Sequence, residues 1–218
     1  MNITDRTKVK RIPKRGQYDL ETIYSILDAE FVCHIGFVHQ GYPVVIPTLY
    51  GRKDDYLLVH GAATSRMLSE LKKEVDICLT VTITDGLVLA RSGFHHSANY
   101  RSVVVFGKAQ LIENKAEKEA ALKAVSDHII VGRWEEVRPT KDNELKATHV
   151  FKIPIEEASA KIRTGGPADD KEDYELDVWA GVLPIKKVYQ TPISDPLNKE
   201  GIEMSESVRQ FMEVNQNR

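Results

Sequence analysis

The sequence predicts a mainly β fold, a closed or nearly closed antiparallel barrel with peripheral helices. Three observations lead there. Six or seven segments alternate apolar and polar residues, or stay apolar over strand-like lengths. Most are joined by turns too short for the crossovers that parallel neighbours require. Two helical patterns interrupt the meander, and no Gly-x-Gly-x-x-Gly run opens a helix after a strand, which disfavours a Rossmann nucleotide domain.

The bulk properties suit such a domain. The chain has 218 residues, enough for one domain with an appendage and a proper core. Apolar residues make up 42%, and the formal net charge is −2, which gives no global reason to expect nucleic acid or an anionic membrane as partner. No apolar run approaches the roughly 20 residues of a membrane span, and Met1 to Lys14 has no apolar signal core. A cytoplasmic protein is the expectation. Cys33 and Cys78 are the only cysteines, expected as free, buried thiols with no metal motif around them.

Residues 1–17 read as an N-terminal arm, with Lys8, Lys10, Arg11, Lys14 and Arg15 clustered around Pro13. Asp19 is placed to cap a helix whose Leu20, Ile23, Tyr24 and Leu27 share one face. Phe31 to Val38 alternates as a strand covered on both faces, and Gln40-Gly41 makes a tight turn. Tyr42 to Gly51 is extended but carries Pro43 and Pro47, so it lies at an edge or borders an opening. Tyr56 to His60 is a short buried strand, and Leu68, Leu71 and Val75 begin a helical pattern. Ile77 to Thr84 alternates clearly, Asp85-Gly86 signals a hairpin, and Leu87 to Ser92 should run back. Asn99 to Ile112 is a long strand. Asn114 with Glu117 resembles a capping box for a helix to about Ile130, stopped by Gly132. Thr148 to Ile155 is a strand, and Glu157 to Ile162 either continues it or forms a short helix. Asp169 to Asp177 is an acidic loop, Val178 to Pro184 an apolar island, and residues 185–218 a tail.

Three segments concentrate chemistry. In His60-Gly61-Ala62-Ala63-Thr64-Ser65-Arg66 a strand gives way to small residues and then a helix start. Small residues let a ligand approach the backbone, the helix start offers free N–H groups, and Arg66 adds a planar charged fork, a combination suited to a phosphate monoester. A capped surface helix with an ordinary arginine gives the same local pattern. Val44-Val45-Ile46-Pro47-Thr48 leaves backbone groups unpaired that a planar heterocycle could use. Arg91 to Ser102 gathers hydrogen-bonding side chains beside Val103-Val104-Val105-Phe106. If His95 and His96 lie on a strand they face opposite ways and cannot chelate together, so no metal site is expected. No arrangement of catalytic acid, base or nucleophile is recognisable, and the catalytic residues stay unassigned.

In this order and spacing, Pro47-Thr48, Tyr56-Leu57-Leu58-Val59-His60-Gly61, Ser65-Arg66 and Arg101-Ser102-Val103-Val104-Val105-Phe106-Gly107 resemble the FMN-binding split barrel of the pyridoxamine 5′-phosphate oxidase-like superfamily. The resemblance is nearest to its flavin-nucleotide-binding and nitroimidazole-reductase-like branch. It implies a six-stranded antiparallel split barrel over residues 18–184. It also implies a homodimer with FMN at the subunit interface. Carried over by position, Val44, Val45, Ile46, Pro47 and Thr48 would line the flavin, and His60 and Gly61 would border the ribityl phosphate. Ser65 and Arg66 would bind that phosphate, Asn99, Tyr100, Arg101 and Ser102 would lie along the ring, and Trp179 would cover it. Two departures stand out: Met67 replaces the lysine usual after Ser-Arg, and no Arg-x-His-Asp-Arg-like run follows Trp179 to grip the vitamin substrate. The implied function is an FMN-dependent oxidoreductase acting on a small molecule with a nicotinamide electron donor. The alternatives are a haem-binding split barrel, for which His60, His95 and His96 are available, and a flavin-holding module without turnover.

Overall fold

In this computed structural model, which describes residues 1 and 3–215, the alternating runs form one antiparallel sheet of ten strands among the described residues. A two-residue strand β1 (Gly16–Gln17) precedes helix α1 (Leu20–Asp28). Strands β2 (Val32–His39), β3 (Tyr42–Lys53) and β4 (Tyr56–Ala62) form a meander, and α2 (Arg66–Leu71) leads to β5 (Asp76–Leu89) and β6 (Ser97–Lys108). Then come β7 (Gln110–Leu111), α3 (Lys115–Ile129), α4 (Arg133–Glu136), α5 (Asp142–Ala147), β8 (Thr148–Pro154) and β9 (Glu157–Arg163). β10 (Gly181–Pro184) and α6 (Glu206–Asn215) complete the chain. The sheet order is β1-β9-β6-β5-β2-β3-β4-β8-β7, with β10 beside β5. β6 runs through buried Ala109 into β7, which pairs with β8, so one stretch of chain joins both ends of the sheet into a barrel.

The register puts one parity of each strand inside. Ile46, Ile35, Leu79, Val105 and Ala158 form one cross-sheet row, and Val81, Val103 and Ala160 another, all packed in the barrel core. The opposite parity forms an outer face of small polar and exposed apolar residues. Its rows are Pro47, His34, Thr80, Val104 and Ser159, then Thr82, Ser102, Lys161 and Gly16.

α1 forms as its sequence predicts. The Asp19 carboxylate accepts the Thr22 N–H at 2.7 Å, and Ile23, Ile26 and Leu27 are buried against the barrel. Fully buried Tyr50 donates its hydroxyl to the Leu27 carbonyl at 2.5 Å. His128 on α3 donates Nε2–H to the Glu30 carbonyl at 2.8 Å and accepts the Arg52 N–H on Nδ1 at 3.3 Å. These partners hold it in the neutral tautomer that carries its proton on Nε2. α3 is capped by Asn114, which accepts the Glu117 N–H at 3.1 Å, and it lies so close over β3 that a Cβ on Gly51 would sit 2.7 Å from the Val125 Cα.

Several expectations give way to tertiary context. The strand count exceeds the expected six because three two- to four-residue strands join the sheet's margins and seven longer strands, Glu157–Arg163 among them, build the barrel. Asp85-Gly86 is a register irregularity inside a continuous β5, not a hairpin. The Asp85 carboxylate is held by Arg101, and β10 packs so closely that a Cβ on Gly86 would lie 2.9 Å from the Leu183 carbonyl. The chain reverses only around Gly93–His95, a single 3-10 turn. Glu157 to Arg163 is a strand, since β6 and β1 flank it on both sides. The arm is tied down: Gly16 and Gln17 pair with β9, and the N-terminal ammonium donates to the Tyr18 carbonyl at 2.7 Å. The tail is tied as well. Lys187 pairs with Glu30 at 2.9 Å, and the Tyr189 and Phe211 rings meet edge-on at 4.7 Å. Glu136 accepts the Ser207 N–H at 2.8 Å at the start of α6, and its bonds from Ser207 hold the carboxyl down to about 2.

Replacing Gly51 with alanine should force α3 away from β3, because the obstructing atom is backbone and cannot rotate aside. We expect Gly51→Ala to lose about 2 kcal/mol of unfolding free energy, the scale of core overpacking, in urea titrations followed by circular dichroism. Gly93→Ala, with nothing near its added Cβ, should change stability little.

Candidate functional site

The prolines of β3 locate the opening. Residues 42–49 pair only with β2, and residues 50–53 pair with β4. Tyr50 N–H bonds back to the Phe31 carbonyl at 3.0 Å, so by alternation Thr48, Ile46 and Val44 direct their backbone groups at β2. Pro43, Val45, Pro47 and Leu49 direct theirs at a free edge, where proline's missing N–H costs nothing. Val44 and Ile46 pack their side chains on the core, whereas Val45 lies outside and is exposed. A ligand at this edge would meet backbone from the whole segment but side chains only from alternate positions.

The other wall of the cleft is the end of β4 with α2. Past Val59, residues His60, Gly61 and Ala62 pair with β8 alone. Met67, Leu68 and Leu71 turn α2 into the core, and Glu70 accepts from His39 Nδ1 at 2.8 Å and from Lys73 Nζ at 2.7 Å. Those bonds, Lys73 first, hold the Glu70 carboxyl below its ordinary range and tie α2 to the β2–β3 turn. Ser65 stands at the N-cap but neither its side chain nor that of Thr64 caps the helix; the Ser65 N–H bonds the Ala62 carbonyl at 2.9 Å. Arg66 is exposed and free of ion pairs among the described residues. Thus β3 before Tyr50 and β4 beyond Val59 no longer pair with each other, and Ser65 and Arg66 follow within a few residues of the separated end of β4.

His60 carries the clearest polar anomaly. Its Nδ1 is buried without a hydrogen-bond partner. Burial alone lowers its pKa from 6.5, which keeps the imidazole neutral and able to use a nitrogen lone pair. His149 shares an orphaned Nδ1 and a burial-lowered pKa, but it pairs in register with Gly61 and therefore lies on the opposite face from His60.

The third segment divides. Ser102 lies on the outer face in one row with Thr82 and Lys161, and its hydroxyl donates to the Lys161 carbonyl at 3.3 Å. Arg101 points the other way and is engaged by Asp85 at 2.7 and 3.0 Å, which raises its pKa. Buried Asn99 is engaged too: its amide donates to the Gly165 carbonyl at 3.1 Å and its oxygen accepts from buried Arg163. Tyr100 has the outer parity of Ser102. His95 and His96 are not strand neighbours, because a 3-10 turn intervenes; His95 Nε2 lies 3.2 Å from Asp170, and His96 Nε2 lies 3.2 Å from the Ala90 carbonyl. Trp179 is 66% exposed and packs its ring against Gly181. Lys161, Thr80, Thr82 and His34 on the outer face escaped the sequence reading. Strand alternation through residues 157–163 would have exposed Lys161 had that segment been read unambiguously as β.

The family described as pyridoxamine 5′-phosphate oxidase matches residues 19–162. No curated protein sequence matches the chain significantly. Among solved structures, the flavocytochrome Anf3 from Azotobacter vinelandii is 42% identical, with a TM-score of 0.91 over 95% of this chain and 96% of that one. An FAD- and haem-binding protein from Mycobacterium smegmatis is 33% identical, with a TM-score of 0.86 over 90% of this chain and 96% of that one. A candidate 5-nitroimidazole antibiotic resistance protein from Bacteroides thetaiotaomicron shares the fold, at 24% identity and a TM-score of 0.57 over 67% of this chain and 86% of that one.

The buried histidines make stability depend on pH. His60 and His149 bind a proton less readily folded than unfolded, so the unfolded state takes up more protons as pH falls below 6.5. Their contribution is fully present above that value and is lost below it. Urea midpoints of cofactor-free protein should fall between about pH 7 and about pH 5. His60→Asn should flatten that fall, and an unchanged slope would remove His60 as a contributor.

Proposed function

Because this chain belongs to the pyridoxamine 5′-phosphate oxidase family, we propose that it is an electron-transferring protein that binds a flavin nucleotide and a haem. One observation carries the reading. Where β3 and β4 stop pairing, β3 keeps a free backbone edge, and the parted end of β4 carries a His60 with one buried, unpartnered nitrogen a few residues before Arg66. The flavocytochrome at 42% identity and the FAD- and haem-binding protein at 33% support it. FMN is the cofactor expected from the sequence. The relative named for FAD favours FAD, and the ribityl 5′-phosphate beside Ser65 and Arg66 is common to both. No residue in the cleft has to act as acid or base, because a bound flavin supplies two- and one-electron chemistry and a bound haem one-electron exchange.

The chain's own residues bind and orient. The Val45–Leu49 edge offers backbone donors and acceptors to the rim of a planar ring, and Thr82, Ser102 and Lys161 face the same side from the neighbouring strands. Arg66 neutralises phosphate charge. His60 is the residue suited to ligate haem iron. Its pKa is lowered, so no proton must leave before a nitrogen binds metal, and its buried Nδ1 leaves Nε2 as the ligating atom. Exposed Leu49, next to the Tyr50–Val59 pair, supplies apolar surface near it. The same exposed outer face argues for a homodimer, with each cofactor between two copies of the chain. The nicotinamide electron donor expected from the sequence stays part of this reading, and all strand pairs among the described residues are antiparallel, so such a donor would meet the flavin without a doubly wound domain of this chain.

The purified protein should show flavin absorption together with a haem Soret band and sediment as a dimer. His60→Ala should lose the Soret band and keep the flavin. Arg66→Ala should weaken flavin nucleotide binding by about 1–2 kcal/mol, a charge-assisted contact discounted for exposure, and leave riboflavin binding unchanged. A protein that carries neither cofactor, even after reconstitution, would refute the reading. Pyridoxamine 5′-phosphate should not be turned over, since the residues that would grip it after Trp179 are absent.

A further inference from the structure

The N-terminal segment holds six basic residues against one acidic residue, Asp5, across positions 1–17. Arg6 alone among them forms ion pairs, with Asp76 and Glu157. Lys8, Lys10, Arg11, Lys14 and Arg15 form none among the described residues, and the first four are exposed. Yet the segment is held in one shape. The Val9 N–H donates to the Tyr18 hydroxyl at 2.8 Å, Thr4 and Thr7 close a turn at 2.8 Å, and residues 13–15 make a 3-10 turn that runs into β1. Ile12 is held at φ 55°, a left-handed conformation that a β-branched residue adopts only under constraint. Five uncompensated cations are therefore displayed together on an ordered surface, although the whole chain is slightly acidic.

Its position gives this display a use. Gly16, Lys161, Ser102 and Thr82 lie in one register row, and adjacent strands are separated by about 4.8 Å. The basic segment thus begins about 10 Å from Ser102, on which the proposed flavin face is built. Resting on the cofactor reading above, we infer that this segment is the docking surface for an acidic electron-transfer protein that reduces the bound flavin. Charge complementarity selects such a partner. A single-stranded nucleic acid would want stacking aromatics along the basic track. Of the aromatics beside the segment, Tyr18 is half-buried with its hydroxyl committed to Val9, and the half-buried Phe106 ring lies under the Arg6 guanidinium. In each encounter one electron leaves the partner's iron–sulfur cluster, which is oxidised, and enters the flavin. Two encounters, with protons drawn from solvent, complete the reduction.

The test uses the cofactor-loaded protein and an acidic plant-type ferredoxin. Calorimetry at low ionic strength should show binding that weakens steeply with added salt, as contacts between exposed charges do. The triple variant Lys10→Glu, Arg11→Glu, Lys14→Glu should bind about tenfold more weakly or worse, and the glutamine triple should fall between it and wild type. Flavin and haem content and the thermal midpoint should stay unchanged. Photoreduced ferredoxin should reduce the variant's flavin more slowly by a similar factor, while dithionite reduces both proteins alike. Equal binding and equal rates in wild type and variant would overturn the inference. So would reduction by NADH or NADPH but not by ferredoxin, or a variant defect confined to RNA or anionic vesicles. The two readings fail separately: a protein without cofactors refutes the previous section, and a loaded protein indifferent to the charge of its arm refutes this one.

Discussion

One strand shared between two partners sets the rest of the structure. β3 pairs with β2 up to Leu49 and with β4 from Tyr50 onward, and the change of partner leaves half of it with a bare edge. Such an edge normally invites another chain. Here Pro43 and Pro47 remove donors from it, and Tyr50, held by the Leu27 carbonyl and the His128 ring, fixes where the change occurs. Gly51 then lets α3 press on the strand just beyond. If β3 paired with β4 along its whole length, His60 would be covered and α2 could not stand across a gap.

Electrostatics sort the residues around that gap. Arg101 is neutralised by Asp85, and Arg91 by Asp169, whose side chain is fully buried beneath it. Arg163 is buried among carbonyls and the Asn99 amide, and its pKa is lowered by that burial and by Arg15. Arg91 and Arg163 hold the loop after β9 in place, and Arg101 braces the irregularity in β5. Among the cations without an acidic partner in the described residues are Arg66, Lys161, Lys72 and those of the N-terminal segment other than Arg6. His60 stays neutral because it is buried, which suits metal ligation rather than phosphate binding.

Relatives carrying both a flavin and a haem make sense on this scaffold. An antiparallel barrel with one split offers a long backbone edge and a flat outer face, and neither demands a specific catalytic side chain. Function is then chosen by a few exposed groups. A sequence lacking the vitamin-gripping run after Trp179 can keep the fold and a flavin cleft while giving up the oxidase's substrate.

The sequence by itself determined the antiparallel barrel, α1 and α3 with their Asp19 and Asn114 caps, and the proline-marked strand at Val44–Thr48 that parts from its neighbour. These are written in local period, capping residues and proline positions, each decided within a few residues of chain. Tertiary structure alone decided which hydrogen bonds Asp85, Arg101 and Asn99 would make. The Asp85-Gly86 pair carries a strong local hairpin signal, yet β6 and β10 hold β5 straight through it, because ladder bonds on both sides outweigh a two-residue turn preference. Arg101 and Asn99 look like free polar side chains in one dimension, and in three they bond to Asp85, Arg163 and Gly165. His60 gained its significance the same way: a histidine after a short strand is unremarkable until β8 and the surrounding core bury one of its nitrogens and leave it without a partner.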